Sequence, residues 1–115
     1  MSSLVIRRGD VLLVDFDPTL EGEANKIRPA VVISNNANNN FAPTITVLPI
    51  STNTRKLYPF QVLLESSVTG LDANSKAQAE QVRTMSKKRV KGFVKSLPDA
   101  MVEKLEQALR LHLGL

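Results

Sequence analysis

The chain contains no cysteine. Disulfides, thiolate nucleophiles and cysteine zinc sites are excluded together. It has a single histidine, His112, close to its end. Zinc sites built from several histidines, and catalysis by a histidine pair, are excluded with it. Aromatic side chains are scarce: Phe16, Phe41, Tyr58, Phe60 and Phe93. Of these, Phe16, Phe60 and Phe93 are expected in the core. No stretch approaches the ~18 apolar residues needed to span a bilayer. Residues Met1 to Asp10 carry Arg7 and Arg8 but no apolar run of signal length. No membrane association is therefore expected, and the absence of cysteine is compatible with a cytoplasmic location. There is no phosphate-binding Walker loop, GxGxxG, HExxH or nucleophile elbow. Asp15 and Asp17 lie two apart, on the same side of an extended chain. They read as an edge-strand or turn feature rather than as a metal site. Neither a metal nor a cofactor is expected.

What remains is a chain of 115 residues and 12.6 kDa, 43% apolar and 23% charged. That composition is globular, and the length suits one domain over 1–115. Chains this short commonly gain stability by associating. The net charge of +4 and pI near 9.7 give a mild positive field, suited to a polyanionic partner.

Val11 to Phe16 is a short apolar, β-branched run behind the turn signal Gly9-Asp10 and predicts a strand. Asp17-Pro18-Thr19 ends it, and Leu20 to Arg28 reads as a loop. Ala30 to Ser34 predicts a second, buried strand. Asn35 to Asn40 holds five asparagines in six residues and reads as a loop. Thr44 to Pro49 and Pro59 to Glu65 predict strands, separated by the polar segment Ser51 to Lys56. Ser66 to Ser75 is loop-like. Ala77 to Met85 and Val90 to Val94 read as strands. Pro98 to Leu113 predicts a helix: Pro98 suits the first helical position and Asp99 the positive end of the helix dipole. Met101, Leu105, Ala108, Leu109 and His112 form its adjoining faces, and Gly114 is the stop. Five or six short strands before one terminal helix imply a mostly β, α+β fold, a small antiparallel barrel or curled sheet with a helix packed on it.

Two polar segments could carry chemistry. In Glu23-Ala24-Asn25-Lys26-Ile27-Arg28-Pro29, the proline pushes Arg28 toward an extended backbone and projects its guanidinium from a fixed root. In Pro49-Ile50-Ser51-Thr52-Asn53 a strand ends in two hydroxyls and an amide. If the second and third strands are neighbours, a guanidinium fork and hydroxyl donors converge, which is a phosphate-binding set. The alternative is a surface arginine beside an ordinary Ser/Thr turn. Arg83, Lys87, Lys88, Arg89, Lys91 and Lys95 form a stretch with no acid between Val82 and Ser96. It is either a rail for a phosphate backbone or an edge strand protected by lysine. Tyr58, beside the Ser/Thr loop, is either a stacking platform for a base or a cover for one barrel end.

At these loops the sequence resembles the MazF/PemK-type toxins of bacterial toxin–antitoxin systems. The likeness runs through Arg8-Gly9-Asp10-Val11, Val14-Asp15-Phe16-Asp17-Pro18-Thr19, Arg28-Pro29-Ala30-Val31-Val32-Ile33-Ser34, Pro49-Ile50-Ser51, Tyr58-Pro59-Phe60 and Glu80-Gln81-Val82-Arg83-Thr84. It closes with the helix ending Leu113-Gly114-Leu115 and covers nearly the whole chain. The resemblance implies an SH3-like barrel (MazF/Kid/CcdB-like) with a C-terminal helix, forming a homodimer. It also implies a metal-independent, sequence-specific endoribonuclease, an mRNA interferase. Such an enzyme cleaves single-stranded RNA to 2′,3′-cyclic phosphate and 5′-hydroxyl ends and so stops translation and growth. An acidic MazE-like antitoxin is the implied protein partner.

Carried over by position, Arg28 is the central catalytic residue and Ser51 its hydroxyl partner, with Thr52 in that role if the match slips by one. Glu23 and Asn25 fall in a loop that closes over RNA, and Glu80 and Gln81 fall where bases are contacted. Lys26, Thr52, Asn53 and Tyr58 complete the expected RNA contacts. One branch of the family places an arginine two residues before the acid, where this chain has Gln78. RNA supplies its own nucleophile, so cysteine, histidine and metal are dispensable. Arg28 would clamp the non-bridging oxygens and Ser51 would donate a further hydrogen bond, each donor worth about 3 kcal/mol of barrier. A guanidinium stays protonated at neutral pH and is a poor base, which leaves Glu23 or Glu80 as proton acceptor. Two other readings suit the same barrel: a toxin that inhibits a protein target such as a gyrase, and a non-catalytic nucleic-acid-binding module.

Overall fold

The computed structural model describes residues 4–16 and 27–115. Within them, β1 (Asp10–Asp15), β2 (Ile27–Val32) and β3 (Thr44–Ser51) are consecutive antiparallel neighbours. They are followed by β4 (Gln61–Leu64), β5 (Ser75–Gln78), β6 (Arg83–Ser86) and β7 (Val90–Ser96). Two short helices, α1 (Asn36–Phe41) and α2 (Ser66–Thr69), precede the terminal α3 (Asp99–Leu113). Strand pairing runs β4-β5-β3-β2-β1-β7, with β6 also on β3.

The apolar runs of β1 to β3 are continuous rather than alternating because both faces of the sheet are covered. Val11, Val31, Leu48 and Ile50 face one way, into a cluster closed by Leu105 and Ala108 of α3. Leu12, Val14, Ala30, Val32 and Val47 face the other way, into a second cluster with Ile45 and Met85. The strands β6-β3-β2-β1-β7 form a row whose two ends are joined only by the 3₁₀ turn Lys87–Arg89. Laid flat, five strands would separate the end strands by about 19 Å, whereas one 3₁₀ turn covers about 6 Å. The row therefore curls back on itself around the second cluster. The described strands do not close the circuit, since β6 and β7 do not pair with each other. The expected barrel is thus a strongly curled, open antiparallel sheet.

The terminal helix forms as its sequence predicts, with one shift. Pro98 is the cap residue, at ψ 155, and Asp99 is the first helical position. Gly114 adopts the left-handed conformation (φ 73), and Leu115 N–H closes back on the Arg110 carbonyl at 2.9 Å. Several expectations need correction. Ser66 to Ser75 is not all loop, since Ser66–Thr69 forms α2, and Phe60 is only partly buried and joins neither core cluster. The asparagine run is not a loop but the helix α1. Asn35 caps it by accepting the Asn38 N–H at 2.8 Å, and Asn38 and Asn39 donate to the Thr44 and Ser34 carbonyls. Side-chain amides thus supply backbone partners that offset the poor helix propensity of asparagine. Ala77 to Met85 is not one strand, because the 3₁₀ turn Ala79–Gln81 breaks it between β5 and β6. Phe93 is not in the core but half exposed on β7. Residues 20–26 of the expected first loop lie outside the described residues.

Candidate active site

Arg28 does not lie in a loop as expected. It is the second residue of β2, and the backbone N–H that Pro29 lacks is tolerated near the strand start. The β2–β3 register pairs Ala30 with Pro49, Val31 with Leu48 and Val32 with Val47. Carried two residues further, that register sets Arg28 opposite Ser51, the last residue of β3. Cross-strand partners share a face, so the guanidinium and the hydroxyl emerge on the same side of the sheet.

Both side chains line a cavity of about 350 Å³. Its other walls come from three places. Phe16 follows the end of β1. Thr52 and Asn53 continue from β3. Gln78 ends β5, Gln81 closes the 3₁₀ turn and Arg83 begins β6. No carboxylate lines the cavity among the described residues. Two guanidiniums do, and the Arg83 guanidinium sits 5.2 Å over the Phe16 ring. Among the described residues no side-chain hydrogen bond or ion pair engages the Arg28 guanidinium, which is exposed. Ser51 Oγ accepts the Asn53 N–H at 3.1 Å, which folds the chain after β3 back over the strand end. The arrangement can hold an anion with planar, forked donors and a hydroxyl, beside an aromatic face and two amides.

Arg28, Ser51, Thr52, Asn53 and Gln81 are thus brought together. Glu80 is not among the lining residues: its Oε2 accepts from Gln61 Nε2 at 2.7 Å, and its Oε1 is buried. Tyr58 also stands apart. It stacks on Phe60 (centroids 5.3 Å apart, planes at 3°), with Lys56 Nζ 5.1 Å from its ring centroid. Glu23, Asn25 and Lys26 lie outside the described residues. The expectations missed Phe16, Gln78 and Arg83 as cavity residues. Phe16 reads as core and Gln78 as a departure from a motif. Nothing in the acid-free basic stretch singles out Arg83; only the pairing of Val47 with Arg83 brings it to the cavity.

Residues 7–113 match the family model described as PemK-like, MazF-like toxin of type II toxin-antitoxin system. The chain belongs to this toxin family. A similar relative is the endoribonuclease MazF9 of Mycobacterium tuberculosis, 44% identical over 116 aligned residues that cover 96% of this chain and 98% of that protein. Among solved structures, the toxin fold is shared with MazE-MazF from Deinococcus radiodurans at a TM-score of 0.82 and 22% identity, covering 98% of this chain and 99% of that one. It is also shared with an endoribonuclease in complex with its cognate antitoxin from a mycobacterial species, at a TM-score of 0.75 and 22% identity, covering 96% and 95%.

Proposed function

We propose that this toxin-family chain is an endoribonuclease that cuts single-stranded RNA at the cavity between β2, β3 and the Ala79–Gln81 turn. The observation that carries the reading is the β2–β3 register, which, carried two residues further, sets a forked guanidinium opposite a hydroxyl in a cavity that holds a second guanidinium and no carboxylate among the described residues. Family membership and the endoribonuclease name of the 44% identical relative support it.

In this reading the substrate's 2′-oxygen attacks the adjacent phosphorus. The bond from phosphorus to the 5′-oxygen breaks, and the products are a 2′,3′-cyclic phosphate and a 5′-hydroxyl. Arg28 holds the two non-bridging oxygens as negative charge builds on them, and Ser51 donates a third hydrogen bond. Because these donors are fixed by strand pairing, little reorganisation is needed as the charge develops. Ser51 is favoured over Thr52 because the β2–β3 register, extended two residues past Ala30–Pro49, brings 51 and not 52 level with Arg28. The 2′-hydroxyl proton must leave during the attack. Glu80 is engaged with Gln61, so the acceptor role is assigned to Glu23, and the leaving 5′-oxygen takes up a proton from the protonated Glu23 or from water to become the 5′-hydroxyl. Gln78, Gln81 and Asn53 offer amides to the pairing edges of unstacked bases, which single-stranded RNA exposes.

An acidic, flexible antitoxin segment is the fitting protein partner, since it would present carboxylates where the phosphates lie. A homodimer and a cytoplasmic location, where messenger RNA is found, belong to the same reading. No helix among the described residues is long and apolar enough to cross a membrane.

The test is incubation with a long single-stranded RNA in EDTA, followed by end mapping. Cleavage at a short recurring sequence, leaving cyclic-phosphate and 5′-hydroxyl ends, is expected. RNA that is bound but left intact would overturn the reading in favour of a non-catalytic binding module.

A further inference from the structure

The 3₁₀ turn that carries Gln78 and Gln81 into the cavity is tied to the chain after β3 by a short chain of polar contacts. Gln61, in β4, is buried at 7% exposure. Its Oε1 accepts the Tyr58 N–H at 3.0 Å, and its own N–H donates to the Tyr58 carbonyl at 2.9 Å. Its Nε2 donates to Glu80 Oε2 at 2.7 Å. The other Glu80 oxygen is buried and has no hydrogen-bond partner among the described residues. Alongside, Ala79 N–H donates to the Phe60 carbonyl at 3.3 Å, and Gln61 pairs with Gln78 across β4 and β5. One step away, the buried Lys76 donates from Nζ to the Lys56 carbonyl at 2.8 Å, and Lys76 itself is paired with Ser51. Two cavity walls, the segment after Ser51 and the turn bearing Gln78 and Gln81, are thereby fastened to each other from behind.

A carboxylate pointing into packing is costly unless it is paired. Among the described residues Glu80 is held by a single neutral amide. We infer that Glu80 and Gln61 are positioning residues: their hydrogen bond sets the spacing of the two walls and so aims Gln78 and Gln81 at the RNA bases. Glu80 then acts through Gln61 rather than by touching RNA. The inference rests on the nuclease reading for its consequence and on the geometry alone for the bond.

The decisive variant exchanges the two side chains. Gln61→Glu alone places two carboxylates face to face and breaks the bond. The double change Gln61→Glu/Glu80→Gln restores it, with the amide now donating from position 80 and the Tyr58 N–H still accepted at position 61. Misplacing substrate-positioning groups raises KM for a short RNA about tenfold in Gln61→Glu while kcat moves less than about threefold. The exchange recovers KM to within about threefold of the parent, because coupled residues do not act additively. A double variant with KM restored no better than the single, or with kcat down by about a hundredfold, shows that the Glu80 carboxylate acts on RNA itself and overturns the inference. If Gln61→Glu does not fold, Glu80→Ala is read by amide hydrogen exchange at Gln61, Ala79 and Val82: faster exchange is expected, and unchanged exchange overturns the inference. If the parent protein cuts no RNA, the nuclease reading has failed, and the same exchange measurement still decides the bond.

Discussion

Replacing Arg28 with lysine keeps the charge and removes the fork. If bidentate contact to the two phosphate oxygens is what stabilises the transition state, Arg28→Lys lowers single-turnover cleavage by about a hundredfold or more. Near-parental cleavage would show that a point charge is enough. Ser51→Ala lowers the same rate by about a hundredfold, while Thr52→Ala leaves it within about tenfold, since only position 51 faces Arg28 across the strands. The reverse ranking would move the hydroxyl role one residue along. Glu23→Gln is expected to lower kcat and to flatten the acid limb of the pH–rate profile; an unaltered profile would remove Glu23 as the proton acceptor. The segments of Arg28 and Ser51 carried local signals, a residue before proline and a Ser/Thr pair after an apolar run, but those signals suit an ordinary surface turn equally, and the proposed roles came from the family resemblance. Phe16 and Arg83 carried none, since what brings them to the cavity is pairing between segments distant in the chain.

At the scale of elements, burial decides which segments are easy to read. The strands β1 to β3 and the helix α3 each bury a face, and their apolar patterns announce them. The helix α1 has no apolar stripe; it exists through asparagine side chains bonding nearby backbone groups, which a composition of turn-formers conceals. The break at Ala79–Gln81 is equally hidden, because the residues on either side suit a strand. Leu105 is fully buried where α3 meets the sheet. Leu105→Ala is expected to cost about 3 kcal/mol in urea unfolding, through lost burial and the cavity left behind. A loss below about 1 kcal/mol would mean that α3 adds little to the domain. Gly9 stands at φ 94, and a Cβ there would lie 2.9 Å from Val102 of α3. Gly9→Ala therefore combines backbone strain with a clash, and about 1–3 kcal/mol of destabilisation is expected in the same assay.

For the whole molecule, a net charge of +4 understates the field at the site. Among the described residues two guanidiniums and no carboxylate line the cavity, while Glu106 pairs with Arg8 and Glu80 with Gln61. RNA affinity should fall steeply with salt, and Arg83→Ala should reduce the slope of log K against log salt by about 0.7 if one phosphate contact is lost. An unchanged slope would place Arg83 against bases rather than the backbone.

The pairing of Arg28 with Ser51 also separates two kinds of change the chain can tolerate. The β2–β3 ladder ends at Ala30–Pro49 and each residue lies two positions beyond it, so their relation follows from that register and not from the length of the segment from Asp17 to Lys26. Residues can be inserted or deleted in that segment without moving the two donors relative to each other. A slip of one residue between β2 and β3 would instead turn one of them to the opposite face while leaving a folded sheet. Relatives can therefore vary the connection before β2, together with the RNA contacts and proton acceptor proposed for it, while the two anion-holding donors stay fixed by strand pairing.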